Sequence, residues 1–270
     1  ARAAGAAWTH VPGGFVLHES CILEVAPETV VTDSLVSACN HSAQAAPVSG
    51  GLGLGEQVYA MDATATGNFT QMNSSWTVPP VPSQAKRQIV YLWPGFKATA
   101  PAPGYPVLQP VLQYGQRGKT SWQLQSWFVY AKRLFPEAFT GHPVDVSPGD
   151  TIRSYMEFDA ATQIWTVYGR NERTQQASVL QVSKSKAGGK DFNYAMHVME
   201  TIMPSEGYCT LYPASSGVSF TGISAKGGEP LHWAPSVLKT DCGQKCSATA
   251  VGDTVSMSWN SSGVQGLFIV

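Results

Sequence analysis

Charge is the first thing this sequence has little of. Asp, Glu, Lys and Arg together make up 13% of the 270 residues, 18 acidic against 17 basic, for a net charge of −1. An ordinary soluble domain carries about 25%. No basic field is present to draw nucleic acid or an anionic membrane, so neither is an expected partner. Few ionisable groups also leave little charge imbalance in acid, which suits a protein that works there. No apolar run reaches the length of a membrane span. No long segment repeats its apolar residues every 3.6 positions, which argues against helices. The G-x-S-x-G nucleophile turn is missing, and so are H-E-x-x-H and H-x-H; the six histidines are scattered. The familiar serine and zinc hydrolase arrangements are therefore not expected. The stretch G-L-G-L-G at 51–55 is not a phosphate loop, since no strand precedes it and no Lys-Ser/Thr follows.

Cysteine is sparse and odd in number, at five. Cys21 with Cys39 and Cys242 with Cys246 are the natural local pairs, which leaves Cys209 over. The second pair would close a very tight loop. Metal binding is the rival reading for it, but further Cys or His at ligand spacing are lacking. Four acceptor sequons begin at Asn40, Asn68, Asn73 and Asn260. Sequons, cysteine pairs and low charge together point to a secreted glycoprotein.

What the chain has in quantity is punctuation. It holds 26 Gly and 18 Pro, spread between short runs rich in Val, Ile, Tyr and Trp. That is the pattern of an antiparallel all-β chain of two packed sheets. Predicted strands include Val58–Ala63, Asn68–Val78, Gln88–Trp93, Val107–Tyr114 and 121–130. Thr151–Phe158 and Ile164–Arg170 read as a pair, as do Cys246–Ala250 and Thr254–Trp259. Pro94-Gly95 is expected to stop its strand, and Pro110 to mark an edge or a bulge. Residues 1–50 differ in texture and leave through small, Gly-rich sequence. They read either as an appendage before a main domain at 51–270 or as extra strands of that domain.

Two stretches could carry chemistry. The stretch 187–201 reads as a strand, with Tyr194, Met196, Val198 and Glu200 on one face and Ala195, His197 and Met199 on the other. A carboxylate ending an apolar face loses water, which raises its pKa and suits it to proton transfer. Glu200 alone is equally what a solvated strand edge would show. In V-L-Q-P-V-L-Q-Y-G, Gln109 and Gln113 lie on one face, and Gln123 and Gln125 do likewise in the following strand. Buried amides need partners, so such a row predicts a polar cleft. Trp93 and Trp127 are candidate walls, although core is the commoner use of Trp. Asp145 and Asp150 flank a turn and read as solvated.

The order of these segments resembles the fungal glutamic peptidases, the eqolisins, and more loosely the neprosin-like glutamic peptidases. The match runs through S-S-W-T-V-P-P-V-P-S (74–83), Y-L-W-P-G-F (91–96), V-L-Q-P-V-L-Q-Y-G (107–115) and V-S-P-G-D-T-I (146–152). It continues through A-M-H-V-M-E (195–200), V-S-F-T (218–221) and V-S-M-S-W (255–259). The family's W-V-G-I-D-G is here L-W-P-G-F-K, and the first Glu of its A-E-x-I-x-E segment is Met196.

The resemblance implies a β-sandwich of the concanavalin-like jelly-roll kind and a secreted, monomeric endopeptidase acting on protein or peptide in acid. Gln109 and Glu200 would be catalytic. Trp93, Gln113 and Trp127 would bind substrate, with no cofactor. The alternative kept open is a secreted, lectin-like carbohydrate-binding sandwich or a polysaccharide-cleaving enzyme. Residues 1–50 would be a pro-segment near the cleft, stapled by Cys21–Cys39 and freed in acid as its ion pairs weaken.

Overall fold

The structure is a computed structural model that describes residues 8–35, 39, 61–98, 105–130, 136–202, 211–228, 230–237, 246–259 and 261. Strands dominate it. The N-terminal arm supplies β1 (Trp8–Val11), β2 (Phe15–His18), β3 (Ile22–Glu24) and β4 (Val30–Val31). Then come β5 (Met61–Phe69), β6 (Gln71–Thr77), β7 (Ile89–Lys97), β8 (Pro106–Tyr114), β9 (Gln123–Tyr130), β10 (Glu137–Thr140) and β11 (Val144–Asp145). The rest are β12 (Thr151–Asp159), β13 (Ile164–Asn171), β14 (Ala177–Ser183), β15 (Phe192–Ile202), β16 (Gly217–Lys226), β17 (Ala234–Val237), β18 (Ser247–Val251) and β19 (Thr254–Ser258).

They form the two-sheet sandwich the sequence predicts. One sheet runs β17-β5-β15-β7-β8-β9-β10-β3, with β11 on β9; the other runs β18-β19-β16-β6-β12-β13-β14-β4. Leu92, Leu112 and Leu124 from the first sheet pack with Trp76, Ile152 and Phe220 from the second. A second cluster holds Phe96, Leu108, Phe128, Trp165 and Phe192. The alternation of strand side chains sends Tyr91, Trp93, Val111, Trp127 and Val198 to the opposite, outer face, where they form a third cluster. That face is covered by the arm. Val11 and Leu17, both fully buried, belong to the same cluster.

The pairing is not antiparallel throughout. β3 and β4 join β10 and β14 in parallel, so the 1–50 appendage adds an edge strand to each sheet. Among the described residues β1 and β2 pair only with each other, as a separate ribbon. The predicted Cys21–Cys39 bridge is present. Cys209, Cys242, the sequons at Asn40 and Asn260, and the Gly-rich exit at 47–55 lie outside the described residues. Asn68 and Asn73 are at least partly accessible.

Three local readings change. The run 68–78 is two strands, β5 ending at Phe69 and β6 beginning at Gln71. The strand through Trp93 continues past Pro94-Gly95 to Lys97. Pro110 is in an interior strand, between β7 and β9. The ladder explains both prolines. β7 pairs with β8 at Leu92–Leu112 and again at Phe96–Leu108 but not between, where Pro94 comes opposite Pro110. Neither has an N–H to donate, so each is tolerated where its neighbour asks for none.

Candidate active site

Glu200 sits in mid-sheet, register partner of Tyr91 in β7, which in turn pairs with Gln113 in β8. Gln109 lies one strand beyond Trp93, on the same outer face. Both Gln109 and Glu200 are fully buried. Glu200 is therefore no solvated edge residue, and what buries it is the arm.

The arm reaches the site through V-P-G-G-F. Val11 pairs with Phe15, so Pro12, Gly13 and Gly14 form a three-residue hairpin loop. Gly13 and Gly14 have φ of +97° and +82°, a backbone that side-chain-bearing residues rarely adopt. Two successive positive-φ residues turn both N–H groups to one side, a concavity that receives anions. Here the Gly13 N–H donates to Glu200 Oε2 at 2.8 Å and the Gly14 N–H to Oε1 at 3.0 Å. On the other side, Gln109 Nε2 donates to the Pro12 carbonyl at 2.9 Å. Gln109 and Glu200 thus meet the two ends of a single amide, the Pro12–Gly13 peptide unit. Gln109 Oε1 and Trp93 Nε1 are buried without a partner.

Burial pushes the Glu200 carboxyl up to about 8, against the pull of the two glycine N–H groups and a weaker one from the Trp93 indole. The indole attracts the carboxylate without reaching hydrogen-bond geometry, which is why its N–H stays unpartnered. Tyr91 is the ionisable neighbour: desolvation first, and then the Glu200 charge, raise its hydroxyl, while Arg117 pulls it down.

The other candidates are placed as follows. Trp93 arches over Gly95, where a Cβ would meet its ring at 2.7 Å. Gln113 and Trp127 are on the same face, but their polar atoms face each other. Trp127 Nε1 donates to Gln113 Oε1 at 3.2 Å, Gln113 Nε2 to Gln125 Oε1 at 2.9 Å, and Gln125 Nε2 to the Gly141 carbonyl at 2.9 Å. Gln113 and Gln125 are thus satisfied without a ligand, whereas Gln109 is not. His197 points between the sheets, with Nε2 3.1 Å from Ser74 Oγ and its ring against Phe220 and Trp233. Burial pulls it down to about 3, so it is neutral and takes no part in the site. Asp150 is not solvated: it is buried and bonded to Arg173, Asn171 and the Ser147 N–H. Among the described residues no group of three or more His, Cys, Asp or Glu could hold a metal.

Sequence reasoning missed Tyr91, Gln116, Gly13 and Gly14. Gly-Gly between short β-type runs is a hairpin signal and could have located the turn. Nothing local says where the turn docks.

A family model described as the Peptidase A4 family matches residues 59–261, which leaves the hairpin outside the match. Among solved structures, scytalido-glutamic peptidase with a transition state analog inhibitor is similar at 16% identity. That match covers 76% of this chain and 98% of that one, with a TM-score of 0.53. SCP-B, a member of the eqolisin family of peptidases in complex with the tripeptide Ala-Ile-His, is similar at 15% identity. Coverage is again 76% and 98%, with a TM-score of 0.51. At such identities the likeness speaks for the fold. No curated protein matches the chain.

Proposed function

This chain belongs to the peptidase A4 family, and from that premise we propose a secreted acid endopeptidase whose working pair is Gln109 and Glu200, blocked by its own N-terminal hairpin. The observation that carries the proposal is the amide held between the two side chains. Its carbonyl oxygen faces the Gln109 amide at 2.9 Å and its nitrogen faces Glu200 at 2.8 Å. Those are the two atoms a peptidase must act on.

In the reaction, Glu200 as carboxylate takes a proton from water, and the water oxygen attacks the carbonyl carbon of the substrate. The Gln109 N–H donates to the oxyanion that forms. The new C–O bond stays, the C–N bond breaks, and Glu200 returns the proton to the leaving nitrogen. An oxyanion donor of this kind lowers the barrier by about 3 kcal/mol.

The seated hairpin is inert for two reasons. Both Glu200 oxygens accept from glycine N–H groups and the carboxyl is fully buried under the hairpin, which shuts out the attacking water. At a pKa of about 8 it also holds a proton through the acid and neutral range and cannot serve as a base. This supports reading the 1–50 arm as a pro-segment. The Cys21–Cys39 bridge and the accessible Asn68 and Asn73 support an oxidising, secretory route.

The test is hydrolysis of denatured protein by the full chain carrying Gly13→Ala, which opens the hairpin. Adding Glu200→Gln should abolish cleavage, and adding Gln109→Ala should lower kcat about 10²–10³-fold with the melting temperature preserved. Folded Glu200→Gln protein that still cleaves overturns the assignment.

A further inference from the structure

The same hairpin touches the cleft at a second place, and that contact is built like a subsite. The His10 carbonyl, two residues before Pro12, accepts from Gln116 Nε2 at 3.1 Å and lies 3.0 Å from Tyr91 Oη. Tyr91 Oη is also 2.6 Å from Gln116 Oε1. A hydroxyl has one proton for these two acceptors, and the shorter leg goes to Gln116. With its oxygen held by Tyr91, the Gln116 amide can only turn its NH2 toward the cleft. There it meets the His10 carbonyl and, more weakly, Thr9 Oγ1 at 3.4 Å.

Every part of this device is fixed. Tyr91 is fully buried and Gln116 nearly so. Gln116 is presented by the turn after β8, whose leading residue Gly115 has φ +83° and could not carry a Cβ, which would fall 1.9 Å from the Gln88 carbonyl. Tyr91 is also the register partner of Glu200, so the device and the working carboxylate are tied to the same pair of strands.

We infer that Gln116, oriented by Tyr91, is a substrate-binding residue that takes the backbone carbonyl of the third residue before the bond to be cut. This rests on Gln109 and Glu200 being the working pair, because their grip on Pro12–Gly13 sets the register. The contact is to backbone, so it fixes the direction and depth of any extended peptide without asking for a side chain. Selection comes from the residue between. Val11 is fully buried in the cluster with Tyr91, Trp93 and Val111, which calls for an apolar residue immediately before the one that donates the cut carbonyl. Gln116 is thus a contact residue, and Tyr91 a positioning residue acting through it.

The test uses the full chain with Gly13→Ala and two linear octapeptides of the Trp8–Phe15 sequence. One is all-amide; in the other the carbonyl of the third residue is reduced to methylene. The all-amide peptide should be cut with a kcat/KM higher by about three- to tenfold, the size of one net hydrogen bond. In Gln116→Leu that ratio should fall to about one, and in Tyr91→Phe to an intermediate value. In the parent full chain, Gln116→Leu should also speed hydrogen exchange at the Gly13 and Gly14 amides by a similar factor. A ratio that survives Gln116→Leu overturns the subsite, whatever the exchange data show. Cleavage of denatured protein without cleavage of the all-amide octapeptide overturns the register. A chain that cuts neither overturns the peptidase pair itself.

Discussion

Gly13→Ala should convert the resting chain into an active one. At φ +97° an added side chain costs about 1–2 kcal/mol from backbone strain. The new Cβ would also lie 3.1 Å from the Phe15 ring and 3.6 Å from Gln109 Nε2, and only the first of these is tight. If the loop instead rearranges to relieve the strain, the Gly13 N–H leaves Glu200, a loss of about 1 kcal/mol. Either way seating weakens by about 1–2 kcal/mol, a factor of roughly 5–30 in the open population. Hydrolysis of denatured protein should rise by that factor until the open form dominates. Protection of the Gly14 amide against hydrogen exchange should fall by the same factor. Gly252→Ala is the control, since it carries φ +59° with nothing within 4 Å. It bears a similar backbone cost far from the cleft and should change neither readout. Unchanged activity and unchanged Gly14 protection in Gly13→Ala would refute the plug.

The same seating has a pH dependence whose sign opposes the sequence-based expectation. Seated, Glu200 titrates near 8; unseated, water reaches it and its pKa drops. The seated form therefore binds the proton more tightly. Seating is strongest below the open-state pKa and weakens by about 1.4 kcal/mol per pH unit from there up to the seated value. Tyr91 beside it stays protonated throughout. The Glu24–His142 pair is on β3, outside the hairpin that lifts, so acid alone should hold the hairpin in place.

Two further outcomes are expected. His197 is buried and neutral with its pKa near 3, so the unfolded chain binds a proton there below about 6.5 that the folded chain does not. Stability should therefore fall by about 1.4 kcal/mol per unit as pH drops through that window, and His197→Phe should flatten the decline in melting temperature between pH 6 and pH 4. A single cut between Cys39 and Met61 should leave the site blocked, because β3 and β4 remain bonded into the two sheets and Val31 stays buried. Full activity on that cut alone, measured before the arm separates on a sizing column, would contradict this.

Much of the sandwich was legible because its signals are local. Alternation in 151–170 and 246–259 yields β12–β13 and β18–β19 directly, and the face assignment in 187–201 puts Glu200 and His197 on opposite sides as observed, although the strand itself begins only at Phe192. The prolines misled because a single strand does not reveal its neighbour. Pro110 is acceptable in mid-sheet only because Pro94 stands opposite. The glutamine row shows the same limit. Residue type predicts a polar cleft, whereas cross-strand register lets Gln113, Gln125 and Trp127 satisfy one another. Asp150 looked solvated because the arginine that buries its charge is 23 residues away. The docking of 12–14 on Glu200 spans 187 residues, and no window over the sequence contains it.

The arm combines two kinds of attachment, and under the proposed function their difference explains how the site can be opened without dismantling the fold. β3 and β4 are edge strands whose backbone groups are bonded to β10 and β14, so removing them strips a ladder from each sheet. Among the described residues β1 and β2 enter no other ladder. Their hold on the cleft is Val11 and Leu17 in the outer cluster, together with the contacts to Glu200, Gln109 and Gln116. The ribbon can therefore lift as one unit while both sheets stay paired, which is what a local opening requires. The 3-10 turn at Glu19–Cys21 is the joint, and the Cys21–Cys39 bridge begins there, so the tether stays short and the hairpin remains at roughly millimolar effective concentration. A substrate must outcompete that tethered hairpin. The hairpin holds the cleft with an amide in the cutting position but offers Glu200 a second N–H where the attacking water would need to be. A linear substrate is not closed into that turn, so no second N–H is forced onto Glu200 and that place is left open.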